Sequence, residues 1–540
     1  MSNFLTLTKV FFLSGFNVNS KKKNQKSAFT LFGITLLLFA SASLGISVSF
    51  IGRMELFGID KEAFLSLMLL VAFILNFVLS IHQVQSIIFN TKDYEFLESL
   101  PVKKTTIVAS KLCSFYLINV AEDVALILPA IFLYLVMAQG GIIPALLAFA
   151  CSLVICVIPI LLSAIIGSLS ALISSKSKHS NLINIVTSAL FFLVFFGGYM
   201  YLIYGDASNI TGFMDKVFFL KWIHTGISIS PLDILYYFLF SLGILAVVVL
   251  FISLIYQPVN TWLKSKNDHV DYDKVKKASS KQNLKLSYVL LKKEWYMVSK
   301  RPQYLLNCIL GPIFFLAMGI MFLFFPTMMA GGSDGESGES FAVIFSYMVA
   351  PMGILMNSIA TTSSCSISFE TRYGYEMLRS YPVDTKKIIR AKLSMAIIIS
   401  SIMNVFISSI LVALLVVKGY YQPYYIIPVI IYPQLAAILL AIVGMLTGLK
   451  WPKLDFENEA QVIKNSASSN LLILFVMAPS LLLFGFAYAP DMVAVSMEIE
   501  WVHYIGMGLV FLVYSIMIPV MASILKKKGE NLFDRIIDKH

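Results

Sequence analysis

Long apolar runs alternate with short polar segments along the whole chain. An α-helix needs roughly 20 apolar residues to cross a bilayer. Runs of about that length or longer recur at 29–50, 64–90, 112–137, 142–173, 181–204, 231–256, 304–326, 341–367, 394–417, 424–449, 470–489 and 502–525. The pattern predicts an all-α polytopic membrane protein of about twelve transmembrane helices. Prolines inside 142–173 and 424–449 predict broken or tilted helices there. The first run is long enough to span a membrane and has no small-residue cleavage site after it, so a span rather than a removed leader is expected.

Composition agrees with this class. Hydrophobic residues make up 58% of the 540 and charged ones 13%, where a soluble chain carries about a quarter charged. Mean hydropathy is +0.82. The net charge of +11 is unevenly placed. Lys9, Lys21, Lys22, Lys23 and Lys26 fall in the first 26 residues without an acid, and 257–303 carries eleven basic residues against four acids. Alternate loops are neutral or acidic, with Asp334, Glu336 and Glu339 in one and Asp491, Glu498 and Glu500 in another. By the positive-inside rule both termini face the cytoplasm of a cell-membrane protein. The basic balance thus reads as topology and contact with anionic lipid, not as a nucleic-acid surface. Cys113, Cys151, Cys156, Cys308 and Cys365 sit within or at the ends of spans without metal-ligand spacing, which predicts packing roles. His82 falls inside a span and reads as a packing residue.

One polar module occurs twice. YEFLESLPVKKTTIVASKL (94–112) returns 281 residues later as YEMLRSYPVDTKKIIRAKL (375–393), with nine of nineteen positions identical. At the same offset Asn76 meets Asn357, and Ile142-Ile143-Pro144 meets Ile426-Ile427-Pro428 at an offset of 284. The chain therefore divides into a six-span half at 1–257, a polar linker at 258–283 and a second six-span half at 284–540, as a parallel repeat. After the linker, 284–301 mixes apolar and basic residues at near-helical spacing, with Trp295 and Tyr296 among lysines. That suits a helix in the headgroup layer. Residues 3–16 occupy the matching place in the first half.

Within each module the proline stops a helix and biases the residue before it away from helical geometry. The expected shape is an elbow: a helix over 93–99, a turn, and a second helix over 103–111 running into the next span. A gate, an enzyme surface and a docking site all fit a twin module. The absence of a nucleophile–base pair or ligand cluster in it favours docking. The two copies differ in charge at Lys103/Asp384, Glu98/Arg379 and Ala109/Arg390.

The pattern acid–x–Leu–x–Ser–x–Pro–Val followed by Lys–Leu resembles the permeases of ABC-2 type ABC exporters, in the large two-half form of Gram-positive bacteria. KKEWYMVSKRPQYLLNCILGPI (292–313) is similar to their interface helix, and KWPKLDFENEAQVIKNSASS (450–469) to a loop of the same permeases. The first half lacks the Lys-Glu-Trp motif, and its counterpart loop SSKSKHSNLINIVTSA (174–189) lacks the acids. The resemblance implies that Glu95, Ser99, Pro101 and Val102, with Glu376, Ser380, Pro382 and Val383, contact ATPase subunits, most simply two per chain. It also implies that ATP and Mg are bound by those partners, with no cofactor on this chain. The sequence has no G-x-x-x-x-G-K-[ST] loop of its own. Substrate class stays open among small molecule, peptide and lipid.

Polar residues inside spans mark pathways or anchors. Glu122 and Asp123 lie eleven and twelve residues past Lys111, about 17 Å along a helix. They either line a substrate or proton route or hydrogen-bond neighbouring spans; Asp123 aligns with Asn404 in the second half. Asn76 and Asn357 read as interhelical hydrogen-bonding anchors. Two other function classes remain beside the exporter permease: an ion-coupled secondary transporter, and a membrane-embedded transferase, for which no His/Asp cluster is found.

Overall fold

The computed structural model describes residues 2–15, 61–89, 94–137, 142–176, 216–228, 230–268, 285–301, 362–417, 421–454, 459–463, 466–472 and 501–538, with single positions elsewhere. The runs at 181–204 and, for the most part, 29–50, 304–326, 341–367 and 470–489 lie outside these residues. So do Asn357, most of the linker, and the side chains of Glu122, His82 and Arg379.

The chain forms two compact units, 1–270 and 271–540. The division falls inside the segment read as a linker. In the first unit the helices are α1 (Ser2–Gly15), α2 (Lys61–Phe89), α3 (Tyr94–Ser99), α4 (Lys104–Met137), α5 (Ile142–Val154), α6 (Val157–Lys176), α7 (Phe218–Ser228) and α8 (Pro231–Asp268). In the second they are α9 (Leu286–Ser299), α10 (Thr362–Ser368), α11 (Thr371–Ser380), α12 (Thr385–Val417), α13 (Pro423–Lys450), α14 (Glu459–Ile463) and α15 (Trp501–Asp538). Among the described residues five helices are long and apolar enough to cross a membrane, or six if the bent α4 counts as one span.

The two units repeat one packing scheme. In the first, α2 packs on α4 and α6, α1 on α4, and α8 on α6. In the second, α10 packs on α13, α9 on α12, and α15 on α13. Apolar side chains fill the seams: Val84, Ile107, Ile160 and Ile252 in the first unit, Leu411, Val429, Ala436 and Val510 in the second.

Prolines shape the long helices in three different ways. A proline has no N–H, and its ring crowds the carbonyl four residues earlier. The 142–173 run is broken, as expected, at Ile155–Cys156, four residues before Pro159. The carbonyls bared there are covered by phenols: Tyr237 Oη donates to Ile155 O at 2.9 Å and Tyr116 Oη to Leu153 O at 2.5 Å. Helix α4 bends by 41° between Ala125 and Ile127, four residues before Pro129.

The 424–449 run corrects the expectation of a broken helix, because α13 is continuous through Pro428 and Pro433. The reason lies on α12. Ser408 Oγ donates to Val429 O at 2.8 Å, the acceptor that Pro433 cannot serve. Asn404 Nδ2 donates to the Pro433 carbonyl at 2.9 Å. Helix α12 thus supplies the hydrogen bond that Pro433 removes and adds another to the Pro433 carbonyl itself.

The segment read as a linker from 258 starts as helix. Helix α8 runs on through Pro258 to Asp268, because Tyr256 and Val259 remain buried against the first unit's core. Burial there outweighs the loss of one exposed helix bond.

Candidate functional site

Both copies of the repeated module fold as the elbow. In the first unit α3 ends at Ser99 and α4 begins at Lys104; in the second α11 ends at Ser380 and α12 begins at Thr385. At each corner the proline sits at the centre of a three-residue turn. The N–H of Val102 donates to Leu100 O at 2.7 Å, and that of Val383 to Tyr381 O at 2.8 Å. This is the hydrogen bond of an inverse γ-turn, in keeping with the φ fixed by proline. Ser99 Oγ donates to Phe96 O and Ser380 Oγ to Met377 O, both at 2.7 Å. The two serines therefore close their own helix ends.

The elbow has an inner and an outer face. Tyr94 and Leu97 are buried in the first unit, Tyr375 and Leu378 in the second. Tyr94 packs edge-on against Tyr256 at 5.7 Å, and Tyr375 against Phe533 at 5.2 Å. Val102 and Val383 also pack on these cores. Glu95, Ser99, Pro101, Glu376, Ser380 and Pro382 are exposed. Between the acid and the serine stands a residue missed in the sequence reading: Phe96 is 66% exposed and Met377, at the same place in the repeat, 60%. The signal was present, since burying Tyr94 and Leu97 turns position 96 outward at about 100° per residue.

Each elbow is tied to the last long helix of its unit. Gln257 on α8 donates to Glu98 at 2.8 Å and accepts from Lys104. Lys386 pairs with Glu530 on α15 at 3.2 Å. Asp384 caps α12 by accepting the Lys386 N–H at 3.0 Å, a bond the corresponding Lys103 cannot provide.

Beneath each elbow lies the lysine of the repeat, Lys111 or Lys392, both buried. Their surroundings differ. Lys392 Nζ lies 2.6 Å from Glu370 and 3.0 Å from Glu294, and donates to Ser366 O at 3.1 Å. Lys293 joins Glu370 at 2.6 Å. Lys392, Glu370 and Glu294 thus form a buried cage that the part-exposed Lys293 closes from outside. Burial alone would raise the Glu370 carboxyl, but Lys392 and then Lys293 outweigh it and hold the group down at about 2. Burial dominates at Glu294 and pushes its carboxyl up.

In the first unit Lys111 Nζ stands 5.8 Å from the Phe11 ring and 5.4 Å from the Tyr256 ring. It reaches Ile88 O at 3.4 Å and Tyr256 Oη at 3.5 Å. The position matching Glu370 is Phe89, and from α1 it is Phe11 that faces Lys111. Among the contacts described, Lys392 meets two carboxylates, while Lys111 meets two aromatic rings, a carbonyl and a phenol oxygen.

The other two segments noted in the sequence converge on the cage of the second unit. Arg301, just after α9, donates to Phe369 O at 3.2 Å, lies over the Phe369 ring at 4.4 Å and faces Glu459 at 3.9 Å. Burial lowers its guanidinium despite Glu459. From the 450–469 loop, Lys453 N donates to Ser368 Oγ at 3.0 Å and Phe456 packs on Phe369 at 5.8 Å. Thr371 follows Glu370 with φ of 59°, a left-handed conformation that a β-branched residue rarely takes.

The residues inside the spans sit apart from this site. Asp123 is buried close to Cys156 at the α5–α6 break. Asn404 crosses to α13, as an anchor should. Asn76 Nδ2 donates to Ala72 O of its own helix at 2.9 Å; its expected counterpart Asn357 lies outside the described residues. A short amide in an apolar helix can be satisfied by its own preceding turn.

Comparison with known proteins places the whole chain. No curated protein and no solved structure matches it. A family model described as "membrane protein of 12 TMs" matches residues 26–528, across both units. The chain belongs to this family of twelve-span membrane proteins.

Proposed function

We propose that the chain is the permease subunit of an ATP-driven exporter of ABC-2 type. Hydrolysis occurs on separate ATPase subunits, one docking on each elbow, with ATP and Mg bound by those partners. Both termini and both elbows face the cytoplasm of a cell-membrane protein, as the positive-inside pattern requires. The chain itself carries no catalytic centre in this reading.

One observation carries it: the same proline elbow stands in both units, with an exposed acid and an exposed apolar side chain (Glu95 and Phe96, Glu376 and Met377). Behind the corner, α3 and α11 hand over within a few residues to α4 and α12, long helices that reach into the apolar core. A push on the outer face is thereby delivered to the start of a long helix. The Lys392 cage and the Lys111 aromatic seat anchor those helices where they begin.

Purification of the tagged protein from native membranes tests this. An ATPase subunit should accompany the wild type. It should be lost when Glu95, Phe96 and Pro101, or Glu376, Met377 and Pro382, are replaced. No ATPase in the wild-type preparation, together with transport unaffected by the replacements, overturns the proposal.

An ion-coupled secondary transporter is the second reading, and Asp123 beside a broken helix favours it. Transport that collapses with the ion gradient and persists without ATP would select it.

A further inference from the structure

We infer that the outward face of α9 is a binding surface for anionic phospholipid headgroups, one that α1, its counterpart among the described residues of the first unit, does not share. Helix α9 is two-faced. Leu290, Glu294 and Val298 are buried, four residues apart along one side. The opposite side exposes Lys285, Tyr288, Val289, Lys292, Trp295, Tyr296 and Lys300.

At about 100° per residue Lys285 and Lys292 run down the middle of that face, with Tyr288 and Trp295 on one flank and Val289, Tyr296 and Lys300 on the other. Trp295 is 52% exposed and Tyr296 61%. Lys300 Nζ stands over the Tyr296 ring at 4.9 Å. No acid occurs among these outward residues.

Two features choose lipid over a protein as the occupant. First, α9 ends at Ser299, and the apolar run 304–326 follows within five residues. Its inner face is fixed on α12, itself a spanning helix. The chain thus holds α9 at the boundary of the bilayer. Second, amphipathic aromatic rings interleaved with ammonium groups suit the layer where glycerol backbones meet phosphates. Lysines near an anionic leaflet each add attraction for it. A zwitterionic surface would satisfy the rings but leave the lysine charge without a counterpart. Helix α1 packs in the matching place of the first unit, yet its outer side offers one lysine, Lys9, and no Trp or Tyr.

Fluorescence of the full-length protein in vesicles tests the inference, with the Trp295 signal taken as wild type minus Trp295→Phe. Vesicles of phosphatidylcholine and phosphatidylglycerol are prepared with bromine on one lipid or the other. Brominated phosphatidylglycerol should quench Trp295 about twofold or more beyond brominated phosphatidylcholine at equal content, given the attraction of several lysines. Replacing Lys285, Lys292 and Lys300 by Gln should abolish that excess while leaving quenching by either lipid in place, which shows that α9 is still seated. The Lys→Arg triple variant and Lys9→Gln should keep the excess. Equal quenching by the two lipids in the wild type, or an excess that survives the Gln variant, overturns the inference. So does a Trp295 quenched by neither lipid, which would assign this face to a protein partner or to solvent. None of these outcomes depends on an ATPase.

Discussion

Lys392 and Glu370 meet at 2.6 Å in a place where the lysine side chain is wholly shielded from solvent. Glu294 and Lys293 complete the cage. Desolvation offsets much of what such a cage contributes, and losing one member is far worse than losing all. Lys392→Met leaves two carboxylates facing each other and should cost about 3–5 kcal/mol. Adding Glu294→Gln and Glu370→Gln should restore most of that loss. Thermal denaturation of the purified protein reads both effects; a triple variant no better than the single one contradicts them.

The two carboxyls should respond to pH in opposite directions. Glu370 is held at about 2 against an ordinary 4.5. Its contribution is in place above pH 4.5 and is lost as pH falls toward 2. Glu294 is raised by burial, so its contribution is present below its ordinary range and declines as pH rises through the raised value. At neutral pH Glu370→Gln should therefore destabilise more than Glu294→Gln. It should also flatten the acid limb of a melting-temperature profile between pH 4.5 and 2. Equal losses for the two variants would count against the cage.

Ser408 and Pro433 make a pair whose effects cannot add. Ser408→Ala strands the buried Val429 carbonyl and should cost about 1–3 kcal/mol. In a Pro433→Ala background the restored N–H serves that carbonyl, and the same serine replacement should cost well under 1 kcal/mol. A double-mutant cycle on denaturation midpoints gives the coupling directly. Simple additivity refutes the account of why α13 stays unbroken.

Thr371 has φ of 59° between α10 and α11. Thr371→Gly should relieve about 1–2 kcal/mol of left-handed strain, less what glycine loses in the unfolded chain. The expected result is a melting temperature equal to or above the wild type's, with Thr371→Val below both.

Much of the elbow was legible before any coordinates, because proline acts locally. Helices expected over 93–99 and from 103 are found over 94–99 and from 104. The outward Phe96 and Met377 were equally legible and were passed over for the charges beside them. The cage was not legible. Lys392 stands out in the repeat, but Glu294 lies 98 residues away in sequence and Glu370 22. Only packing of α9 and the end of α10 onto α12 brings them together. The unbroken α13 hid for the same reason, since Ser408 acts from another helix.

The central claim, that force enters through the two elbows, is tested most directly by placing a photo-crosslinking residue at position 96 or 377 in the native membrane. Illumination should join each variant to an ATPase subunit, with the crosslink changing when nucleotide is bound. The same residue at Val417, exposed at the other end of α12, should give no such product. Adducts at 96 and 377 with lipid alone, or with no partner under any nucleotide condition, would contradict the account.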